Sequence, residues 1–365
     1  MRTYQTESYA TLRSLLDAAL NGGGAEVRER LARFAGELKV AERPDDLLPY
    51  LFAAATMKRL DPQENEQMNL YLRQYDVPQI VLFNVLARKV PFVTCVTEIA
   101  NEALTRRIAC GEAAALLEIG IGTGRQIVAL LRELDRQGRR PSLLTVYAVE
   151  PNETFLEQAG KQVLEAADRC GIPVQFVPVP SVIEEMPEAI WERIGRTREA
   201  LLVNAAFALH HVRGSEGESD AKDAVLRRIF SLAPRIVTLS EPDTDHQTPN
   251  NLLRFDHSWH HFSSVFQLLD TLEMTPEENR AVKIFFAREI EDIIASPEHL
   301  RCERHERTED WIARLRKAGF AASPELAAVP VPGLAGVTFH RGEWHIGLAT
   351  AGGVNLTSMI CAETP

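Results

Sequence analysis

The sequence predicts an α/β chain: a parallel sheet wound on both faces, antiparallel strands at its C-terminal end, and an α-helical cap. Three observations carry this. Short apolar runs alternate with helix-like stretches from Ala113 to Glu241, and that alternation is the mark of a doubly wound sheet. The first hundred or so residues show only helical periodicity. The last segment, "GVTFHRGEWHIGLATAGGVNLTSMICAE", has hairpin punctuation at Arg341-Gly342 and at Ala351-Gly352-Gly353.

Element by element, "YATLRSLLDAAL" places Leu12, Leu15, Leu16 and Leu20 on one helical stripe, and "NGGG" ends it. "EVRERLARFAGEL", "DDLLPYLFAAATMKRL" and "FVTCVTEIANEALTRRIAC" repeat the pattern. Then "AALLEIG", "SLLTVYAVE", "VQFVPV", "EALLVNAAF" and "PRIVTLSE" read as strands, with helices between them. Beyond Asp243 the alternation stops. "PNNLLRFDHSWHHFSSVFQLLDTLE" and "TPEENRAVKIFFAREIEDIIA" read as two long helices, the second opened by a Thr275/Glu278 capping box. "TEDWIARLRKAGF" is a further helix closed by Gly319, and its Trp311 suits the core. The expected division is a helical cap over 1–110 and a sheet domain over 111–365, with a helical insertion at 243–307 joining the cap.

The net charge of −11 argues against non-specific nucleic-acid binding, which needs cationic surface. The five cysteines are scattered and form no C-x-x-C pair, so reduced thiols in a cytoplasm are expected and a metal site is not. The N-terminal stretch lacks a signal peptide's apolar region, and no run of apolar residues is long enough to span a membrane.

The first strand leads into Glu118, Gly120, Gly122 and Gly124. A dinucleotide turn would place a glycine at 125, where the chain has Arg125, and no G-K-[ST] follows. E-x-G-x-G-x-G after a strand resembles the first motif of S-adenosylmethionine-dependent methyltransferases. Glycines let a backbone approach a ligand and turn sharply, and the next helix offers free N–H groups to a carboxylate. Glu118 suits the ligand's amino group, and Glu150, at the tip of the second strand, its two ribose hydroxyls. Ser181 lies where an adenine would rest, and with Glu184 also reads as a capping box. Asn204 ends the fourth strand, where ligands meet open α/β sheets.

Read with the segments that follow, the turn resembles the GRAS domain family, best known from plant transcription regulators and also present in bacteria. "AALLEIGIGTGRQIVALLREL" stands at the family's VHIID-type segment, and "VPFVTCVTEIANEAL" at its A-N-Q-A-I helix. "REIEDIIASPEHLRCERHERTEDWIARLRKAGF" follows the R-E-I…E-R-H-E…W…A-G-F signature. The resemblance implies a Rossmann-like class I methyltransferase sheet with a helical cap. Plant members commonly lack an intact glycine turn, and this chain keeps it. The family's terminal S-A-W is absent here.

The expected function is therefore an S-adenosylmethionine-dependent methyltransferase acting on a small-molecule acceptor. The alternative is a non-catalytic GRAS-type regulatory, protein-interaction or ligand-sensing domain. For catalysis the candidates are His210 in "ALHHV", Glu241 ending the fifth strand, and His257; a base near the methyl would take the acceptor's proton. His211, Arg254 and His261 are candidates for holding the acceptor, the last two on a helix face shared with His257. "ERHE", Arg304 to Glu306 with the preceding Glu303, reads as a structural polar bridge. Val265, Phe266, Leu268 and Leu269 suit pairing with a second copy, as in a homodimer.

Overall fold

The structure, a computed structural model, describes residues 3–60, 76–213, 221–334 and 336–365. Helices α1 (Thr3–Leu20), α2 (Gly24–Glu37), α3 (Leu47–Arg59), α4 (Gln79–Lys89) and α5 (Pro91–Arg107) come first. The alternating run follows: β1 (Ala113–Ile119), α6 (Arg125–Arg136), β2 (Leu143–Val149), α7 (Glu153–Cys170), β3 (Val174–Val179), α8 (Glu188–Gly195), β4 (Ala200–Ala206), α9 (Ala221–Ser231) and β5 (Ile236–Pro242). Then come α10 (Asn251–Leu269), α11 (Pro276–Ala295), α12 (Thr308–Ala318), β6 (Ala321–Ala322), β7 (Val337–Arg341), β8 (His345–Thr350) and β9 (Asn355–Glu363).

The chain forms two compact units. One comprises Met1–Val90 with Thr244–Glu306, the other Pro91–Asp243 with Arg307–Pro365. Helix α5 thus groups with the sheet, and the first unit's N-terminal part ends at Val90 rather than at residue 110.

In the sheet unit the strand order is β3-β2-β1-β4-β5-β9-β8-β7, with the short β6 on β9. β1 to β5 run parallel, and β9 joins β5 antiparallel. Alternate residues face opposite sides of a strand, and both sides are apolar here. Leu116, Val146, Leu202 and Ile236 pack with Ile99, Leu130 and Val163 of α5, α6 and α7. Leu117, Tyr147, Val203 and Val237 pack with Trp191, Leu226 and Trp311 of α8, α9 and α12. Burial on both faces explains why these strands read as continuous apolar runs rather than alternating ones.

The first unit is helical. Its core includes the rings of Phe52, Phe255 and Trp259, with Phe52 edge-on to Phe255 at 5.3 Å and to Trp259 at 5.0 Å. Thr275 and Glu278 form the expected capping box on α11, each side chain accepting the other's backbone N–H, with Pro276 in the first turn. The expected pairing face on α10 is not a surface. Val265, Phe266, Leu268 and Leu269 are all buried within the chain, so they form core and offer nothing to a second copy.

Candidate functional site

The glycine turn sits where β1 gives way to α6. Gly120, Gly122 and Gly124 all take positive φ, at 74°, 53° and 82°, a region that side chains with a Cβ resist. The N–H groups of Gly120 and Ile121 both reach the carbonyl of Val149 on β2, pinning the turn to the neighbouring strand. A Cβ at Gly124 would lie 3.1 Å from the Ala159 Cα and 3.1 Å from the Val163 Cγ2 on α7. The glycine therefore also sets how closely α6 and α7 pack. Gly124→Ala is expected to cost about 2 kcal/mol from left-handed strain and overpacking together. A urea unfolding midpoint equal to wild type would show the turn to be slack.

Glu150 closes the turn from the end of β2. Its Oε2 accepts the Gly122 N–H at 3.0 Å and its Oε1 the Asn152 N–H at 3.0 Å. Burial pushes its carboxyl above the usual range, and these two N–H groups partly offset that. Asn152 in turn caps α7, its Oδ1 accepting the Phe155 N–H.

Glu118 lies one strand over, wholly buried on the α5 side of the sheet beside Asn204, its register partner on β4. The Asn204 amide donates to both Glu118 oxygens, at 2.8 and 3.0 Å. Thr238 on β5 donates to the Asn204 carbonyl oxygen at 2.8 Å. Burial pushes Glu118 up to about 8, against the lowering effect of Asn204. Thr238 escaped the sequence reading. Its signal was a hydroxyl inside the apolar "RIVTLSE", opposite Asn204 in the sheet register.

The turn after β4 is built on Glu241. Phe207 adopts a left-handed φ of 55° and is held by its N–H bond to the Ser240 carbonyl. Such strain in a non-glycine residue persists only where neighbours enforce it. Glu241 Oε1 accepts the N–H groups of Ala208 and Leu209, at 3.2 and 2.8 Å. Its Oε2 shares a 2.5 Å hydrogen bond with His210 Nδ1, both side chains being buried. The ring of His211 lies against that of His210, with centroids 3.9 Å apart and the planes tilted by 58°. Ser181 does not make the expected capping box. Its hydroxyl donates to the Val182 carbonyl, and the short turn that follows is uncapped by any side chain. Glu184 accepts the Arg213 N–H instead.

So the structure brings Glu118 to Asn204, Gly122 to Glu150, and His210 to Glu241, all in the sheet unit. Arg254, His257 and His261 belong to the helical unit. Arg254 is buried and donates to the Thr248 carbonyl, Glu298 and Asn251. His257 Nδ1 bonds the Asp245 carbonyl at 2.8 Å. His261 is buried, and that burial, with His305 nearby, pushes it down to about 3. His246 is likewise held well below the usual range by burial and by His305, with which it shares a 2.7 Å contact between ring nitrogens. These two imidazoles are neutral at pH 7.

Comparison with known proteins bears on what this arrangement does. The model of the GRAS domain family matches residues 50–325. GRAS family protein RAD1 of Medicago truncatula is 32% identical over 213 residues, 57% of this chain and 40% of that protein. DELLA protein RGL1 of Arabidopsis thaliana is 28% identical over 224 residues, 60% of this chain and 42% of that protein. The chain spans about two fifths of the length of the curated relatives it matches. The crystal structure of SCL7 in Oryza sativa aligns over 98% of this chain and 99% of that one, with a TM-score of 0.78 and 21% identity. At that identity the likeness shows the fold alone. Among the described residues no single helix is long and apolar enough to cross a membrane.

These findings correct the first expectation. The relatives are GRAS proteins, of a family known for regulators, and not small-molecule methyltransferases. The reading as an enzyme, with a small-molecule methyl acceptor as its partner, is withdrawn. The intact turn misled it: a glycine turn permits a sharp bend or close approach to the backbone, and says nothing of the transfer of a group. With the family's model covering most of its length, the chain belongs to the GRAS domain family.

Proposed function

We propose that this chain is a non-catalytic regulatory domain that acts through a protein partner and senses S-adenosylmethionine at its glycine turn. Membership of the GRAS family carries the regulatory reading. The strand order, with five parallel strands and an antiparallel β9 beside β5, supports a Rossmann-like sheet of the class I methyltransferase type. Among the described residues the cysteines form no disulfide, which fits a reducing compartment such as the cytoplasm.

The residues at the turn fit the ligand. A carboxylate oxygen accepts two hydrogen bonds. Each oxygen of Glu150 takes one backbone N–H, which leaves one acceptor position on each for vicinal ribose hydroxyls. Gly120, Gly122 and Gly124 leave the start of α6 without side-chain capping, so its N–H groups can meet a carboxylate. Asn204, already engaged by Glu118 and Thr238, orients Glu118 toward any role with the amino group. Ser181 remains a candidate for the adenine.

Calorimetry with S-adenosylmethionine and its demethylated product tests this reading. Binding with a dissociation constant on the order of micromolar is expected, weakened at least tenfold in Glu150→Ala. Absence of heat with both compounds would remove the ligand-sensing part and leave the regulatory part standing on the family alone.

A further inference from the structure

A second charged cluster lies in the helical unit, apart from the glycine turn. Arg254, Arg301 and Arg304 converge on one carboxylate, Glu298. Its Oε1 accepts Arg301 Nη2 and Arg304 Nη1, both at 2.7 Å. Its Oε2 accepts Arg254 Nη1 at 2.9 Å and Arg301 Nε at 3.3 Å. Four hydrogen bonds fill the acceptor capacity of a carboxylate. A fourth guanidinium, Arg59 at the end of α3, stands within electrostatic reach of Glu298, Arg254 and Arg301. It donates one N–H to the Ile294 carbonyl at the end of α11, and among the described residues no carboxylate pairs with it.

Three guanidiniums therefore donate to one carboxylate that can accept no more, with Arg59 a fourth cation in electrostatic reach. Arg254 and Arg301 are 2% and 0% exposed, so water screens them little. Burial and mutual repulsion push both below the usual range, Arg301 to about 10, and burial does the same to Arg59. All remain charged at neutral pH. Glu298 itself is 47% exposed, so the junction opens to solvent on its side. The deep arginines also hold backbone: Arg301 Nη1 takes the carbonyls of His246 and Glu303. Arg254 donates to the Thr248 carbonyl and Arg304 to those of Arg301 and Glu298, so internal bonding explains three of the arginines as structure. It does not explain the surplus of positive charge.

We propose that this cluster is a receptor for a doubly charged oxyanion of the phosphate type, contacted by Arg59 and attracted by the field of Arg254, Arg301 and Arg304. A dianion offsets most of the surplus, and a tetrahedral oxyanion offers several acceptors to forked guanidinium donors. Such a receptor needs neither the glycine turn nor S-adenosylmethionine.

Thermal unfolding in sodium phosphate against sodium chloride at matched ionic strength provides the test. Phosphate also stabilises folded proteins by exclusion from their surface, so the variants decide. At about 10 mM phosphate, a saturating rise of roughly 2 °C is expected in wild type. Arg59→Gln is expected to lose that saturating rise, measured against its own chloride value. Glu298→Gln, which removes the competing anion, is expected to enlarge it. An equal rise in wild type and Arg59→Gln overturns the proposal. Calorimetric titration of the wild-type chain with inorganic phosphate stands beside these variants, and absence of saturable heat overturns it equally. Phenyl phosphate in the same titration separates the sources. Binding as tight as inorganic phosphate assigns the site to a phosphate ester, and weaker binding to the free anion.

Discussion

Asp292→Ala is expected to lower the unfolding free energy by about 4 kcal/mol. Asp292 lies in the last turns of α11 and is fully buried. Its Oδ2 accepts the backbone N–H groups of Cys302 and Glu303, each at 2.7 Å. Its Oδ1 accepts the Ser296 hydroxyl at 3.0 Å, and its own carbonyl takes the Ser296 N–H that closes the helix. One carboxylate thus ties the irregular segment after α11 back onto the helix. That segment carries Glu298, Arg301, Arg304 and His305. Alanine leaves three donors facing it without their acceptor, in residues that are 0 to 1% exposed, and each orphaned buried donor costs about 1–3 kcal/mol. Asp292→Asn can keep its one acceptor oxygen on the two backbone donors and turn its N–H₂ to the Ser296 hydroxyl, which can accept, but it loses the charge, so it should fall between alanine and wild type. Urea unfolding with an unchanged slope reads the loss directly. A loss under about 1 kcal/mol would mean that the segment finds other acceptors, and that Asp292 is not its anchor.

The uneven legibility of this fold has physical causes. Strands were plain because β1, β2 and β4 bury both faces, and such strands are short apolar runs bounded by polar turns. The glycine turn was plain because positive φ at three alternating positions admits little else. Helix α4 had no distinct signal of its own, and the periodicity of α5 did not reveal that it groups with the sheet, because amphipathic periodicity says that a helix packs and not what it packs on. The same limit explains Val265, Phe266, Leu268 and Leu269: a stripe suited to a partner is equally suited to a core. Ser181 and Glu184 matched a capping pattern, but only a short turn follows them, and the serine bonds its neighbour's carbonyl. Long-range polar pairs such as Asn204 with Thr238, or Arg254 with Glu298, leave almost no trace in a single sequence. Their partners are set by register and by packing. Function was the hardest step, since a fold hosts many activities. There the family resemblance, carried by long motifs, outperformed the inference from the turn alone.

Glu118→Gln is expected to leave stability nearly unchanged near pH 4.5 and to exceed wild type by about 4 kcal/mol at pH 9. The sign follows from where the proton sits. In the unfolded chain the carboxyl titrates near its ordinary value of 4.5, whereas burial in the sheet raises it to about 8. Between these values the folded protein holds a proton that the unfolded chain has released. Stability from this group is therefore fully present below about pH 4.5, declines as pH rises, and is lost above about 8. Glutamine is neutral throughout and has nearly the shape of the protonated acid, so its variant lacks that decline. Asn204 and Thr238 limit the penalty without removing it, because a single amide donating to both oxygens replaces only part of the water a carboxylate loses. The experiment compares urea unfolding of the two proteins at intervals from pH 4.5 to 9. Parallel curves would show that the folded carboxyl titrates normally, and that solvent or a cation reaches it. A diverging pair would establish a proton held under α5 at the tip of β1, next to the turn that the sequence marks most clearly. A cationic group brought to that turn would then have to displace the proton, and its affinity would rise with pH over the same interval.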